Sequence, residues 1–430
     1  MVNAPERIPA SYLDRAIGFI NFLIDPMIQL ELKFSEEIDI GRLQKAVNLI
    51  LNAEPILGCR LVSHWYSPYF QRMSSSFTND AFYTTESIEE FDTFRSALID
   101  TYQGPQLKVY HYHSSNEDRI IIKVAHNITD VAGLNNIARI ISSVYSRLKD
   151  NPAYELAPNL NTSRGLRIVT RHLKWYAYPR IYLNYFQGLL AQMPRQGTHT
   201  LHLEEGPLKP LEFVCELIPE ERVAYLKEYG YSNNATLNDL IVAAIFRALI
   251  VDEDWNRQSH LRLITSVDLR RWYLSSEEGK AITNLSGMEV ISLNNNIGDD
   301  FPATLKRVVS FIEKRKSSYI GLSDLIGSLP IMIMPDRLGQ RMYKKVVQRA
   351  IDRGNIAPGL TNMGEIEVDA VTFDYPPDSA QLIAPPYYPP YFLIGLSGFK
   401  GTLSLSSIVR PAHKDRVNRF LENVLSQLPV

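Results

Sequence analysis

The stretch IIIKVAHNITDVAG, residues 120–133, places a histidine directly after an apolar run, with an aspartate four positions later. Imidazole has an unperturbed pKa of about 6.5, so a neutral His126 can remove a proton from a hydroxyl or amine near neutral pH. Asp130 can orient the intervening loop without taking that proton. The alternative is a buried histidine followed by an aspartate that caps a helix. The spacing alone does not separate the two, because His-x-x-x-Asp also arises by chance.

The residues around this motif predict the elements that must position it. The stretch RIIIKVAH predicts a strand over residues 119–126 with His126 at its far end. Because side chains alternate along a strand, His126 shares a face with Ile120, Ile122 and Val124. A polar turn, SSNED, links this strand to an earlier one with the sequence LKVYHYH. Asp130 is well placed to cap the amphipathic helix that follows. His126 is therefore predicted where a strand gives way to a helix through a short loop, a common position for active-site side chains.

The length of the chain predicts two domains, because 430 residues exceed what one hydrophobic core usually supports. The segment MPRQGTHTLHLEEGPLKP contains several proline and glycine residues, and we place a linker at residues 196–211. This divides the chain into an N-terminal domain, residues 1–195, and a C-terminal domain, residues 212–430. Both halves mix strands, many of them linked as hairpins, with amphipathic helices such as TLNDLIVAAIFRALI. The pattern predicts an α/β protein of the α+β kind with mixed sheets.

Composition and charge exclude several classes of function. The chain is 45% hydrophobic and 21% charged, as globular proteins are, and its net charge of −2 gives no overall field for nucleic acid or an anionic membrane. The N-terminus MVNAPERIPASYLDR lacks the apolar core of a signal peptide, and no window approaches 18 apolar residues, so we expect a cytoplasmic protein without a transmembrane segment. The two cysteines have no spacing for zinc or a redox pair. His111 and His113 share a strand face but lack a third ligand, so no metal site is predicted.

Further segments extend the pattern around His126 over nearly the whole chain. In chain order they are LKFSEEIDIGRLQKAVNLILNAEPILGCRL, TLNDLIVAAIFRALI, TSVDLRRWYLSSEEGKAITNLSGMEVISL, and GLTNMGEIE followed by GFKGTLSLSSIV. Together with AHNITDV, they resemble the chloramphenicol-acetyltransferase-like superfamily of thioester-dependent acyltransferases. That superfamily includes condensation domains of peptide synthetases, polyketide-associated acyltransferases, wax ester synthases and alcohol acyltransferases. Its shared motif is His-His-x-x-x-Asp-Gly, or simply His-x-x-x-Asp, after a strand.

The resemblance implies a fold and a reaction. Two similar acetyltransferase-like subdomains would form a pseudo-dimer with a central tunnel, and a monomer is expected because the two halves already supply the pair. An acyl group would pass from coenzyme A, or from the phosphopantetheine of an acyl carrier protein, to a hydroxyl or amine acceptor, with no permanently bound cofactor. His126 would be the general base, and Asp130 would be structural and paired with Arg270 or Arg271. The candidates for the tunnel wall are Asn284, Ser286, Gly287, Thr361 and Asn362.

Two departures from the family motif leave an alternative open. Ala125 stands where the longer motif has its first histidine, and Val131 stands where it has glycine. A β-branched residue narrows the available backbone conformations and adds bulk beside the loop. The chain is therefore predicted to be an active acyltransferase or, alternatively, a catalytically degenerate relative that acts as a binding or docking module in a biosynthetic pathway.

A basic, aromatic segment follows the motif-bearing helix. Residues 156–203 carry six Arg or Lys residues and no acidic residue. We expect a helical connection that packs its aromatic side chains on the domain. The alternatives are a membrane interface, as basic amphipathic helices with Trp and Tyr form, a contact with the phosphates of coenzyme A, and a docking surface for an acidic carrier protein. The aromatic residues are Trp175, Tyr176, Tyr178, Tyr182, Tyr185 and Phe186.

Overall fold

The computed structural model describes residues 5–74, 80–161, 163–191, 197–204, 210–252, 255, 260–272, 281–294 and 297–430. The strands are β1 (Arg7–Pro9), β2 (Met27–Phe34), β3 (Cys59–Val62), β4 (Tyr69–Arg72), β5 (Phe82–Thr85), β6 (Leu107–His113), β7 (Asp118–Ala125), β8 (Glu212–Ile218), β9 (Leu261–Asp268), β10 (Ser286–Asn294), β11 (Gly359–Ile366), β12 (Ser379–Ile383), β13 (Leu393–Phe399) and β14 (Thr402–Val409). The helices are α1 (Tyr12–Phe19), α2 (Ile40–Ala53), α3 (Ile88–Ser96), α4 (Val131–Asp150), α5 (Arg167–Thr170), α6 (Ala177–Ala191), α7 (Glu220–Ser232), α8 (Leu237–Ile250), α9 (Phe301–Lys316), α10 (Ser323–Met332), α11 (Asp336–Asp352) and α12 (Lys414–Gln427).

The first half is built on a five-stranded sheet in the order β12-β2-β7-β6-β5. Strand β7 lies at its centre and pairs along its length with β2 and β6, both antiparallel. Ile120, Ile122 and Val124 enter the first hydrophobic core, which also holds the buried stripes of α2 and α4. Ile121 faces the other way, into a small cluster with Phe91 of α3. Strand β7 is therefore buried on both faces, which accounts for the three consecutive apolar residues 120–122.

The predicted strand at residues 119–126 is shifted by one residue, since β7 ends at Ala125. The backbone N–H of His126 donates to the carbonyl of Pro26 at 2.7 Å. Proline has no N–H to return a bond across the pair, so the ladder ends there. His126 is consequently the first residue of the loop rather than the last of the strand.

The second half is built on a six-stranded sheet in the order β10-β9-β11-β13-β14-β8. Helix α8 packs against this sheet between α9 and α12 and carries the centre of the second hydrophobic core. Its N-terminus has the predicted capping box, in which Thr236 and Asp239 exchange side-chain and backbone bonds. The predicted mixed α/β architecture is confirmed.

The chain crosses between the two sheets near its end. Strand β12 lies far beyond the predicted linker, yet it pairs with β2 at the edge of the first sheet. Part of the predicted linker, residues 205–209, lies outside the described residues. Of the remainder, Leu201 and Leu203 belong to the second core. Within the described ranges, no helix combines the length and the apolar character needed to cross a membrane.

A third cluster of buried side chains lies between the halves. It joins residues of α1, α5 and α6 to residues from the second half that follow β9, precede β10 or belong to α10. This junction is apolar, and its member Leu285 donates its N–H to Asp130 in the loop that follows β7. The buried members are Leu13, Leu166, Val169, Ala177, Ile181, Leu269, Leu285, Leu322, Leu325 and Ile326.

Candidate active site

The orientation of the His126 ring is set by the loop that follows β7. Its Nδ1 lies 2.8 Å from the carbonyl oxygen of Thr129. A carbonyl oxygen only accepts hydrogen bonds, so in the neutral ring Nδ1 carries the proton and donates it to Thr129. The lone pair then resides on Nε2. This is the tautomer that a general base acting through Nε2 requires.

As a whole residue His126 is half-buried, and its imidazole lies deep in the protein. Burial lowers the pKa of the imidazole below its ordinary value of 6.5, and it outweighs the hydrogen bond to Thr129 and the charge of Asp130, which both act in the opposite direction. The ring is therefore neutral at neutral pH. A neutral imidazole in an accessible but enclosed position can accept a proton from a bound small molecule.

The carboxylate of Asp130 joins the two halves of the protein. It is 6% exposed. Its Oδ1 accepts the N–H of Gly133 at 3.1 Å, which caps α4, and its Oδ2 accepts the N–H of Leu285 at 2.7 Å. The guanidinium of Arg270 adds bonds of 2.7 Å to Oδ2 and 3.0 Å to Oδ1. Such bidentate pairs are the strongest of the charge-assisted hydrogen bonds, so Asp130 fixes the loop without reaching the proton on His126.

The two candidate arginines have different environments. Arg270 follows β9 and, besides Asp130, bonds to Asp268 at 3.2 Å and to the carbonyl of Thr283 at 3.3 Å. Arg271 is exposed, and its guanidinium lies 5.5 Å from the ring centroid of Trp272. Arg270 is thus the arginine that contacts Asp130.

Asn284 is brought directly to the histidine. Its side chain is 1% exposed, and its Nδ2 donates to the backbone carbonyl of His126 at 3.0 Å. Its Oδ1 accepts the N–H of Ser286 at 2.9 Å. Both ends of the amide are used, so Asn284 positions the backbone of His126 from the second half of the protein.

The other tunnel-wall candidates lie on the sheet that ends beside Asn284. Gly287 on β10 pairs with Val267 on β9, and a Cβ there would lie 2.6 Å from the carbonyl oxygen of Gly321. Thr361 on β11 bonds through its hydroxyl to Ser266 on β9 at 3.0 Å. These positions share one region of the sheet, and Gly287 is required there by the close approach of another backbone segment.

Asn362 has a different setting from its neighbour in the strand. It is exposed, and its side chain bonds to Asn238 at the start of α8 and to the N–H of Gly364. Adjacent residues of a strand point to opposite faces, so Asn362 faces away from the side that carries the Thr361 hydroxyl.

Val131 fits the backbone that the structure gives it. It is the first helical residue of α4 and does not adopt a positive φ, so the conformational freedom of glycine is not needed there. Its side chain is half-buried and packs against the first hydrophobic core. The backbone and packing of Val131 give no argument for a loss of activity.

Glycine is instead required at Gly133, two residues further on. A Cβ at this position would lie 1.8 Å from the hydroxyl oxygen of Thr129. We expect Gly133→Ala to cost about 1–3 kcal/mol of unfolding free energy, the usual cost of overpacking, and to lower any activity that depends on the Thr129 carbonyl. Urea unfolding measures the first effect.

The control for this variant is Gly18→Ala in α1, where an added Cβ would meet no atom within 4 Å. That change should be neutral or stabilising by up to about 1 kcal/mol, because alanine is the better helix former. Equal unfolding free energies for the two variants would show that the Thr129 side chain moves aside without cost.

The histidines on β6 are held by a carboxylate. Asp118 is 1% exposed and lies 3.2 Å from His111 Nε2 and 2.7 Å from His113 Nδ1. Burial lowers the pKa of His111, and the bond to Asp118 raises the pKa of His113. Asp118 also accepts the N–H of Ile38 at 2.7 Å, so the cluster is internally bonded. Among the residues that the structure describes, no group of three or more His, Cys, Asp or Glu side chains is placed to hold a metal ion.

Three contacts of this site have no signal in the sequence. They are the Thr129 carbonyl that fixes the His126 tautomer, the Leu285 N–H on Asp130, and the Asn284 amide on the His126 carbonyl. Each has a backbone atom as one partner, and backbone atoms carry no residue type. Two of them join residues 155 and 158 positions apart in the chain. Only the tertiary structure brings these groups together.

Comparison with known proteins identifies the fold. No family model matches the sequence. A stretch of 183 residues is 25% identical to bacitracin synthase 3 of Bacillus licheniformis, and it covers 41% of this chain but only 3% of that synthase.

Several solved structures match nearly the whole chain at low sequence identity. A trichothecene 15-O-acetyltransferase from Fusarium sporotrichioides has a TM-score of 0.71 and 12% identity, covering 97% of this chain and 94% of that chain. The first condensation domain of the CDA synthetase has a TM-score of 0.68 and 14% identity, covering 99% and 98%. Polyketide synthase associated protein 5 from Mycobacterium tuberculosis has a TM-score of 0.66 and 13% identity, covering 97% of each chain.

Proposed function

Since the chain has the fold of the chloramphenicol-acetyltransferase-like and condensation-domain superfamily, we propose that it is a thioester-dependent acyltransferase. The acyl donor is a thioester of coenzyme A or of carrier-bound phosphopantetheine, and the acceptor is a hydroxyl or an amine. The predicted domains, residues 1–195 and 212–430, supply the two walls of the substrate tunnel. Similar proteins with solved structures include an acetyltransferase and condensation domains, which supports this class of reaction.

The reaction needs one base and no permanently bound cofactor. His126 Nε2 takes the proton of the acceptor as its oxygen or nitrogen attacks the thioester carbonyl. The tetrahedral intermediate then collapses, the C–S bond breaks, and the imidazolium returns its proton to the departing thiolate. Asp130, Arg270 and Asn284 act as positioning residues, since each touches the loop or its neighbours and none touches Nε2.

The single observation that carries the proposal is the state of the His126 ring. Its Nδ1 proton is committed to the Thr129 carbonyl, and burial keeps the ring neutral. A general base needs a lone pair on the free nitrogen at working pH, and this ring provides one.

The experiment that tests the proposal follows release of free thiol from acyl thioesters of short to long chain. Pooled alcohols and amines serve as acceptors, and acyl-coenzyme A is compared with acyl-carrier protein as donor. Release that depends on an acceptor supports acyl transfer and identifies the donor. A protein that binds thioesters but releases no thiol from either donor would be the binding or docking module instead.

The pH dependence of the reaction follows from the lowered pKa of His126. A base whose pKa lies below its ordinary value of 6.5 stays active at lower pH, so the acid limb of kcat/KM should have its midpoint below about 6.5. The same shift should lower folding stability as pH falls below about 6.5, because the unfolded chain takes up the proton first. The His113→Gln variant is the control, since His113 lies outside the site and its hydrogen bond to Asp118 raises its pKa, in the opposite direction to that of His126. Loss of the acid limb in that variant would exclude His126 as its source.

A further inference from the structure

Over residues 177–187, helix α6 is apolar on two faces but buried on only one. Ala177, Ile181 and Asn184 form the inner face, and the helix packs there against α10. The outer face carries a second stripe at helical spacing: Tyr182 is 41% exposed, while Leu183 and Phe186 are each 56% exposed. A helix with apolar residues all round is normally buried all round, so the outer face lacks its partner in the described structure.

The turn that leads into α6 also exposes aromatic side chains. Trp175 is 82% exposed and Tyr176 is 54% exposed. This corrects the expectation that the aromatic side chains of this segment pack on the domain, because α6 buries only its inner stripe. Tyr178 and Tyr185 are only partly covered.

Basic residues lie among these exposed aromatic residues along the sequence. Arg167, Arg171, Lys174 and Arg180 are all exposed, and no Asp or Glu occurs between residues 156 and 203. Lys174 lies 5.8 Å from the ring centroid of Tyr176. The whole chain has a net charge of −2, so this is a local concentration of positive charge.

We propose that this surface docks on an anionic lipid bilayer. The aromatic-basic surface consists of Arg167, Arg171, Lys174, Trp175, Tyr176, Arg180, Tyr182, Leu183 and Phe186. Trp and Tyr rings favour the headgroup region, aliphatic side chains reach the acyl boundary, and Lys and Arg bind anionic headgroups. Arg, Trp, Tyr and Phe are also enriched at protein interfaces, so a wild-type chain that binds neither kind of vesicle would assign this surface to a protein partner instead. No described helix could span the bilayer, so the contact is peripheral.

The experiment is flotation of the full chain with vesicles of phosphatidylcholine alone or mixed with phosphatidylglycerol, at low and high salt. The wild-type protein should float with the anionic vesicles and lose most of that binding at about 0.5 M salt, where the screening length is only a few ångströms. The charge reversals Arg171→Glu and Lys174→Glu should each weaken partitioning about fivefold or more. Trp175→Ala and the pair Leu183→Ser, Phe186→Ser should reduce flotation at low salt as well.

The matched control lies on α7, which has an exposed aromatic and a cation four residues apart but no such surface. Tyr231 is 87% exposed and Lys227 is exposed, with Glu228 beside it. Tyr231→Ala and Lys227→Glu should leave vesicle binding unchanged. Thermal unfolding of every variant shows whether the fold is intact.

Three results would overturn the proposal. The first is a wild-type chain that floats with neither the neutral nor the anionic vesicles. The second is a wild-type chain that binds no vesicle but self-associates, with the self-association abolished in the Leu183→Ser, Phe186→Ser double variant. The surface would then bind a second copy of the chain. The third is a raised KM for the thioester in the Arg171→Glu and Lys174→Glu variants without vesicle binding, which would assign it to the donor. None of these depends on His126, so failure of this proposal and failure of the proposed reaction are distinguishable.

Discussion

Replacement of His126 by alanine is expected to lower kcat for acyl transfer about 100-fold to 10,000-fold, the usual range for loss of a general acid–base group. The physical reason is that Nε2 carries the lone pair that accepts the proton. Burial keeps the ring neutral, and Nδ1 already donates its hydrogen bond to the Thr129 carbonyl. The KM of the thioester should change little, because the ring acts on the acceptor proton rather than on the donor. Initial rates of thiol release at saturating donor measure the effect.

The control separates loss of the base from loss of structure. His113→Ala removes a half-buried histidine on the opposite end of the β6–β7 hairpin and should keep the wild-type rate. His126→Ala also removes the hydrogen bond to the Thr129 carbonyl, so it is expected to lose about 1–3 kcal/mol of unfolding free energy, and thermal unfolding shows whether it is folded at the assay temperature. Similar rates in wild type and His126→Ala would remove the histidine from the mechanism.

The second large effect is expected on stability. Arg270→Ala leaves the carboxylate of Asp130, 6% exposed, with two backbone N–H groups as its remaining partners. Removing one partner of a buried ion pair typically costs about 3–5 kcal/mol, because the other charge stays in a poorly solvated place. The Arg270 side chain is 24% exposed, so the lower end, about 3 kcal/mol, is expected. Denaturant unfolding at pH 7 measures the loss.

Arg271 provides the matched control one position away. Its exposed guanidinium does not contact Asp130, so Arg271→Ala should change the unfolding free energy by less than about 0.5 kcal/mol. Adding Asp130→Asn to Arg270→Ala removes the unpaired charge and should restore part of the loss. If the double variant lost as much unfolding free energy as the two single variants together, the two residues would not be coupled. The bidentate pair would then not be what joins the halves.

The local elements around the site could be predicted from the sequence because their signals are local. Strand β2 alternates strictly, and α2 and α4 begin at aspartates whose side chains accept backbone N–H groups three residues on. These patterns need only neighbouring residues to be recognised. They placed His126 in a strand-to-helix loop to within one residue.

The parts of the site that depend on tertiary packing could not be predicted in this way. The partner of Asp130 was narrowed to two adjacent arginines, and nothing local distinguishes Arg270 from Arg271. The pairing of β12 with β2 joins segments more than 300 residues apart along the chain. The sequence favoured packing of the α6 aromatic side chains on the domain, because a helix with two apolar stripes has the pattern of a buried helix. Only the structure shows which of the two stripes is buried.

Acyl transfer with His126 as the base is tested most directly by acceptor-dependent thiol release together with the mass of the acceptor product, measured in parallel for wild type and His126→Ala. If His126 is the general base of an acyl transfer, each thiol released by wild type is matched by one acceptor molecule that has gained the acyl group, and both signals fall about 100-fold or more in the variant. Thiol release with no acylated acceptor, or equal release by the two proteins, would contradict acyl transfer with His126 as the base.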